Sequence, residues 1–276
     1  MLQRPSFALV FTFLLAASAS VPSASAQVVR FETTVGDFDM VLNPTNNPRL
    51  QGHVDNLLAY VENGNYRGSW INRAPEGFVL QMGSFFAHTK RPVLTLDSTR
   101  SVVSFAPVRG APAVPGLSNT VGTVALALPG SNRDGGTSSF FINLGDNSSG
   151  LDTDFTVFAA IPDMTVINQI MALMQVDLRD ELGTDPRDVH FQDIPLTENG
   201  FQVFIRRAFE VTDSLSIARA RGGIASVMAA SLAGGGGGGA AAPAALTAAI
   251  APEPGSGVLI LLALLSLAWL PARRRA

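Results

Sequence analysis

Between residues 28 and 211 the chain alternates short apolar runs with turn residues. "VVRFETTVGDFDMVL" (28–42) gives two β-rich runs around Val35-Gly36-Asp37, which predicts a hairpin. In "VDNLLAYVEN" (54–63), Val54, Leu57, Leu58 and Val61 recur at helical spacing, and Gly64 stops the pattern. "FVLQMGSFF" (78–86), "GTVALAL" (122–128), "SFFINL" (139–144) and "TVFAAI" (156–161) read as buried strands. A second helix is predicted over 163–176, with Val166, Ile167, Ile170, Met171 and Met174 on one face, and a last strand over 200–211. Many short strands with two helices predict a mainly β fold, a closed or nearly closed antiparallel barrel whose ends the helices cover. The long connections 87–121 and 177–199 are expected on the surface, where they can shape a groove.

The two ends read differently. Residues 1–26 carry Arg4, the apolar run Phe7–Ala17 and then Ala24-Ser25-Ala26, the order of a secretory signal peptide with cleavage before Gln27. The protein is therefore expected to be exported, to the periplasm or cell envelope; a buried core helix is the alternative for this run. The domain proper is placed at 27–213. From 214 to 251 the chain is Ala- and Gly-rich, with six glycines at 234–239 and no aromatics, and is expected to be a flexible linker with room for a short helix in 214–232. Residues 252–276 contain "PEP" at 252–254, the apolar run Val258–Leu270 and the cluster Arg273-Arg274-Arg275. This tail resembles PEP-CTERM sorting signals. The resemblance implies an exosortase-type membrane enzyme as a partner, and at least transient membrane attachment through the tail, with the arginines on the cytoplasmic side. A plain membrane anchor is the alternative.

Net charge is −3, which gives no electrostatic footprint for nucleic acid. The absence of cysteine excludes thiol catalysis, disulfides and thiolate metal sites. His53, His88 and His190 lack metal-ligand spacing, and no G-x-S-x-G elbow, P-loop or G-x-G-x-x-G occurs, so neither a metal nor a cofactor is expected. Asp146, Asp152 and Asp154 fall outside the calcium-loop pattern and read as a solvated turn. That leaves Arg73 at the head of an apolar strand, with Phe78, Gln81 and Phe141 among its neighbours in the pattern. Arg73 can simply cap a strand end while Gln81 satisfies buried backbone; it can equally serve a site.

The order of segments decides which reading to carry forward. Thr33–Gly36, Asn56–Tyr60, Gly64–Gly68, Asn72-Arg73, Gly77–Gly83 and Ser138–Ile142 follow one another as the motifs of a known family do. From about Val28 to Val211 the chain resembles the cyclophilin-type peptidyl-prolyl cis-trans isomerases. The resemblance implies a closed eight-stranded antiparallel barrel with two capping helices and a groove on its outer face that takes proline-containing protein or peptide segments. It implies a catalytic role for Arg73, a supporting one for Gln81, and Phe78 as pocket wall. Val79, Phe141, Leu151 and Phe155 match the apolar proline pocket, Ala127 and Leu128 the strand that pairs with extended substrate, and Ser139 a substrate-contacting position. The departures are specific. The family's histidine before the arginine is Asn72, its glutamine after Ser138 is Ser139, and its substrate-binding asparagine is Leu128. Its pocket tryptophan falls near Gly150 and its groove histidine near Phe155. Lost amides at 128 and 139 imply reduced or narrowed activity. Three readings follow: an exported isomerase, a proline-binding module with little catalysis, and a barrel that serves only as a spacer.

Overall fold

A computed structural model describes residues 26–87, 99–101, 117–130, 132–179 and 189–234. Residues 1–25, most of the connection 87–121, the end of the linker and the whole tail lie outside the described residues. Strands β1 (Val28–Thr33) and β2 (Asp37–Leu42) form the expected hairpin. Thr33 shapes its turn: the hydroxyl donates to the Gly36 carbonyl at 2.6 Å and accepts from the Val35 and Gly36 amides at 3.1 Å. Helix α1 (Gln51–Glu62) turns Val54, Leu57, Leu58 and Val61 into the core. It stops where Gly64 takes φ +67°, a conformation that a Cβ disfavours.

The chain continues through β3 (Ser69–Arg73), β4 (Val79–Ala87), β5 (Thr99–Ser101), β6 (Thr123–Leu126), β7 (Phe140–Asn143) and the short helix α2 (Ser148–Leu151). After β8 (Val157–Ala160) come α3 (Thr165–Met171), β9 (Met174–Val176), β10 (Ile194–Leu196) and β11 (Ile205–Glu210). Eight strands run in the order β11-β1-β2-β8-β6-β7-β4-β3, and β5 adds to β4. The two ends of this path meet. Gly68 N donates to Ile205 O at 2.8 Å, Ile71 N to Val203 O at 3.1 Å, and Trp70 bridges Phe204. The result is a nearly closed antiparallel barrel. Phe31, Phe38, Tyr66, Leu80, Phe140 and Ile142 fill its interior, while Ile167 and Ile170 of α3 join the same core as α1.

Three expectations change. The helix predicted over 163–176 ends at Met171, and Met174–Val176 pairs with Ile194–Leu196 as a two-stranded ribbon. Leaving the helix there sends Val176 into a cluster with Trp70, Phe85, Leu178, Phe191, Ile194 and Leu196. The same cluster means that the end of the connection 177–199 is packed against the barrel rather than lying loose on it.

The third change concerns the linker. Its first part forms α4 (Ser214–Gly223) and α5 (Ala225–Gly234). Asp213 caps α4 by accepting from Ser216 N at 2.8 Å. Ile217, Ala220, Ile224, Val227 and Met228 make a stripe at helical spacing that packs on Val28, Val41, Ala160 and Val211. Aromatic content and glycine count concealed that stripe. A buried side chain such as Ile224 contributes about 1.5–3 kcal/mol, which offsets the backbone ordering of one or two residues, so the whole stripe is needed to hold the helices.

Candidate active site

Alternation along β4 sends Leu80 and Met82 into the barrel, so Val79 and Gln81 face outward. Across the sheet, Gln81 stands opposite Phe141 of β7, and Phe141 opposite Ala125 of β6. Directly opposed residues share a face. Arg73 completes this outer row, because its partner in β4 is Gln81.

Strict alternation would not place Arg73 there. Ile71, two residues earlier, lies in the barrel core and pairs with Met82. Between Ile71 and Arg73, β3 advances two residues while β4 advances one. Asn72 is therefore the extra residue of a β-bulge, and the bulge re-aims Arg73 to the outer face. The Asn72 carbonyl accepts from Phe191 N at 2.9 Å, whereas both polar atoms of its buried side chain lack a hydrogen-bond partner among the described residues. Sequence periodicity carries no mark of this bulge.

Arg73 is 2% exposed, and its Nε and Nη1 have no hydrogen-bond partner among the described residues. Burial pulls the guanidinium down to about 10, with Asp193 opposing the shift, so it stays cationic at neutral pH. Its Cζ lies 5.3 Å from the centroid of the Phe78 ring, a cation–π contact that orients the charge along the edge of the apolar surface. Gln81 Nε2 donates to Ser139 Oγ at 3.2 Å, and Ser84 Oγ meets the same hydroxyl at 2.6 Å. Ser139 is fully buried and stands behind Gln81, outside the apolar cluster.

Phe78, Val79, Ala125, Ala127, Leu128, Phe141, Leu151 and Phe155 form one hydrophobic cluster, separate from the barrel core. The structure thus brings together all seven apolar residues expected at the site and adds Ala125. Phe141 and Phe155 meet edge to face at 5.4 Å. Ala127 N donates to Ser139 O at 2.9 Å, carrying the β6–β7 ladder past the strand ends.

A buried polar frame supports this cluster from behind, and the sequence reading missed it. Asn119, Asn143 and Asn147 bond to one another and to the Phe78 and Phe155 carbonyls. Asp152, expected in a solvated turn, accepts from Asn119 N at 2.7 Å and Asn119 Nδ2 at 2.9 Å. The available signal was Asn143 itself, an amide inside an apolar strand, which demands buried partners. A separate cleft of about 950 Å³ opens at the barrel seam around Thr34, Arg67, Gln202 and Phe204 and includes none of the row or cluster residues.

Comparison with known proteins gives the family. Residues 28–189 match the family model described as cyclophilin type peptidyl-prolyl cis-trans isomerase/CLD. A peptidyl-prolyl cis-trans isomerase of Acinetobacter baylyi is 32% identical over 148 residues, covering 52% of this chain and 71% of that protein. Peptidyl-prolyl cis-trans isomerase A of Dickeya dadantii is 30% identical over 135 residues, 49% of this chain and 63% of the relative. A solved cyclophilin type isomerase of Cryptosporidium parvum is 18% identical, with a TM-score of 0.45 over 68% of this chain and 99% of that one. The chain belongs to the cyclophilin-type peptidyl-prolyl cis-trans isomerases.

Proposed function

We propose that the outer groove isomerises Xaa–Pro bonds of exported proteins by electrostatic catalysis, with Arg73 as the catalytic residue. Rotation about the prolyl amide breaks its resonance against a barrier of roughly 18–20 kcal/mol, which makes the uncatalysed step slow. As the bond twists, the prolyl nitrogen becomes pyramidal and gains lone-pair density that a guanidinium N–H can receive. The reaction then needs no nucleophile and no proton transfer. The apolar cluster around Phe78, Phe141 and Phe155 holds the ring while the preceding residue turns. Gln81, braced by Ser139, limits the orientations open to Arg73 and substrate.

The observation that carries this reading is Arg73 itself: a buried cation beside an apolar cluster, with two nitrogens that have no hydrogen-bond partner among the described residues. An unsatisfied buried charge is costly, and a substrate that completes its hydrogen bonds accounts for its presence. Arg73→Ala is expected to lower kcat/KM by about 10²–10³-fold, by analogy with loss of one preorganised oxyanion donor. Thermal stability should be unchanged or raised, since the variant removes an uncompensated charge. Equal turnover in wild type and variant would overturn the catalytic role. If both were inactive while a proline peptide still bound, the groove would be a binding module; Leu128, an apolar residue where the family has a substrate-binding amide, favours that second reading.

The export part of the proposal rests on residues 1–26 and on the 252–276 tail, read as a PEP-CTERM signal engaging an exosortase-type enzyme and the membrane. Fractionation of cells expressing the full chain and a form ending at residue 251 tests it. Identical distribution of the two would remove the tail from the account.

A further inference from the structure

We infer that α5, which lies beyond the region shared with the family, positions the proline pocket through Ser231 and the dipeptide Ser118-Asn119. The inference rests on the groove's being the substrate site. It begins with a residue in an unlikely place. Ser231 is fully buried, and its hydroxyl accepts from Ser118 N and donates to Ser118 O, both at 2.8 Å. Ser118 N also reaches the Ser231 carbonyl at 3.2 Å. Both backbone groups of Ser118 are thus held by the helix.

The next residue faces the other way. Asn119 N and Nδ2 both donate to Asp152 Oδ1, and Nδ2 also reaches the Phe155 carbonyl at 3.1 Å. Its Oδ1 accepts from Asn143 Nδ2 at 3.1 Å, and its carbonyl accepts from Asn147 N at 2.8 Å. Asn147 Nδ2 then donates to the Phe78 carbonyl at 2.9 Å. Asp152 follows Leu151 directly, so Phe78, Leu151 and Phe155 all sit on backbone that Asn119 fixes directly or through one side chain. Ser118-Asn119 is a two-sided connector, with α5 on one side and three pocket walls on the other.

The family match ends at residue 189, whereas α5 spans Ala225–Gly234, so the grip on Ser118 is added from outside the shared domain. Ser231 and Asn119 are positioning residues: they touch no substrate and act through the pocket walls. Those walls hold the proline ring alike in the ground state and in the twisted state. Loosening them should therefore raise KM and spare kcat.

The test uses the full chain with two variants. Ser231→Ala removes the hydroxyl that holds Ser118. Asp213→Ala removes the α4 cap in the same extension but makes no contact with Ser118. Ser231→Ala is expected to raise KM for a Xaa–Pro peptide about three- to tenfold, with kcat within about twofold of wild type. It should also shift the backbone amide NMR signals of Phe78, Leu151 and Phe155. Asp213→Ala should lower Tm and leave KM and those signals in place. Wild-type KM and unmoved signals in Ser231→Ala would overturn the inference, as would an equal rise in KM in both variants. Should the wild type prove inactive, the isomerase reading fails, and the amide signals with the peptide Kd still decide the positioning role.

Discussion

Arg73 is a buried cation whose environment works against its charge. Burial lowers its proton affinity from the ordinary arginine value to about 10. The unfolded chain therefore holds that proton more tightly, and below pH 10 the buried charge is a cost to the fold, one that substrate offsets on the proposed mechanism. A consequence follows for rate. kcat/KM should be flat from pH 6 to 9 and fall as pH rises through about 10, because the neutral guanidine loses the charged donor. A pH–rate profile checks this, and a limb centred near 6.5 would instead implicate a histidine. At this scale the sequence was informative for one reason. Arg73, Gln81, Phe78 and Phe141 have side chains whose chemistry is conspicuous in a buried strand. Ala125 is not conspicuous, and neither was the asparagine frame, because each asparagine alone looks like a turn residue. Asn143 is the exception, an amide inside an apolar strand, but only the fold joins it to Asn119 and Asn147.

At the scale of elements, the β3–β4 pair decides whether the site exists. Its register slips twice, once at Asn72 and once across Gly83. Gly83 adopts φ +91°, and a Cβ there would stand 2.6 Å from the Ser138 carbonyl oxygen and 3.0 Å from Tyr66. Neither neighbour is free to retreat, since the same carbonyl accepts the Tyr66 hydroxyl at 2.9 Å. Gly83→Ala should destabilise the protein by about 2–4 kcal/mol, measured by chemical denaturation, and should lower activity by shifting Gln81. A neutral effect would mean that β4 can slide relative to β7. Elements announced by their own period were legible: the 28–42 hairpin, α1 and the core strands all appear where alternation or helical spacing placed them. The bulge was not, because an inserted residue leaves hydrophobic alternation readable on either side and only shifts which face it names. The ribbon of β9 and β10 was hidden for a related reason, as Met174 fits a helical face equally well.

The whole molecule joins a family barrel to a helical extension, and one buried group contributes to its response to acid. His53 packs on Phe158 at 5.8 Å, and burial lowers its pKa from 6.5 to about 4. The native state holds this ring neutral while the unfolded chain protonates it first. Stability is therefore full above pH 6.5 and declines as pH falls toward 4, by roughly 3 kcal/mol in all. His53→Phe should flatten that part of the stability curve in denaturation series between pH 7 and 4. If the acid limb is unchanged, carboxylates govern it. Composition misjudged the extension because it weighs residue types and not their spacing; a thin stripe from Ile217 to Met228 suffices when a barrel face is there to receive it.

The way the barrel closes bears on how the groove works. β4, β7 and β6 stand in the middle of the sheet with strands on both sides, and they carry Gln81, Phe141 and Ala125. β3 is the last strand of the path, and its far edge is stitched to residues 203–205 by the Ile71 and Gly68 amides and one bridge. On the proposed mechanism, the apolar wall therefore stands on strands paired along both edges, whereas the charge stands on the strand that closes the barrel.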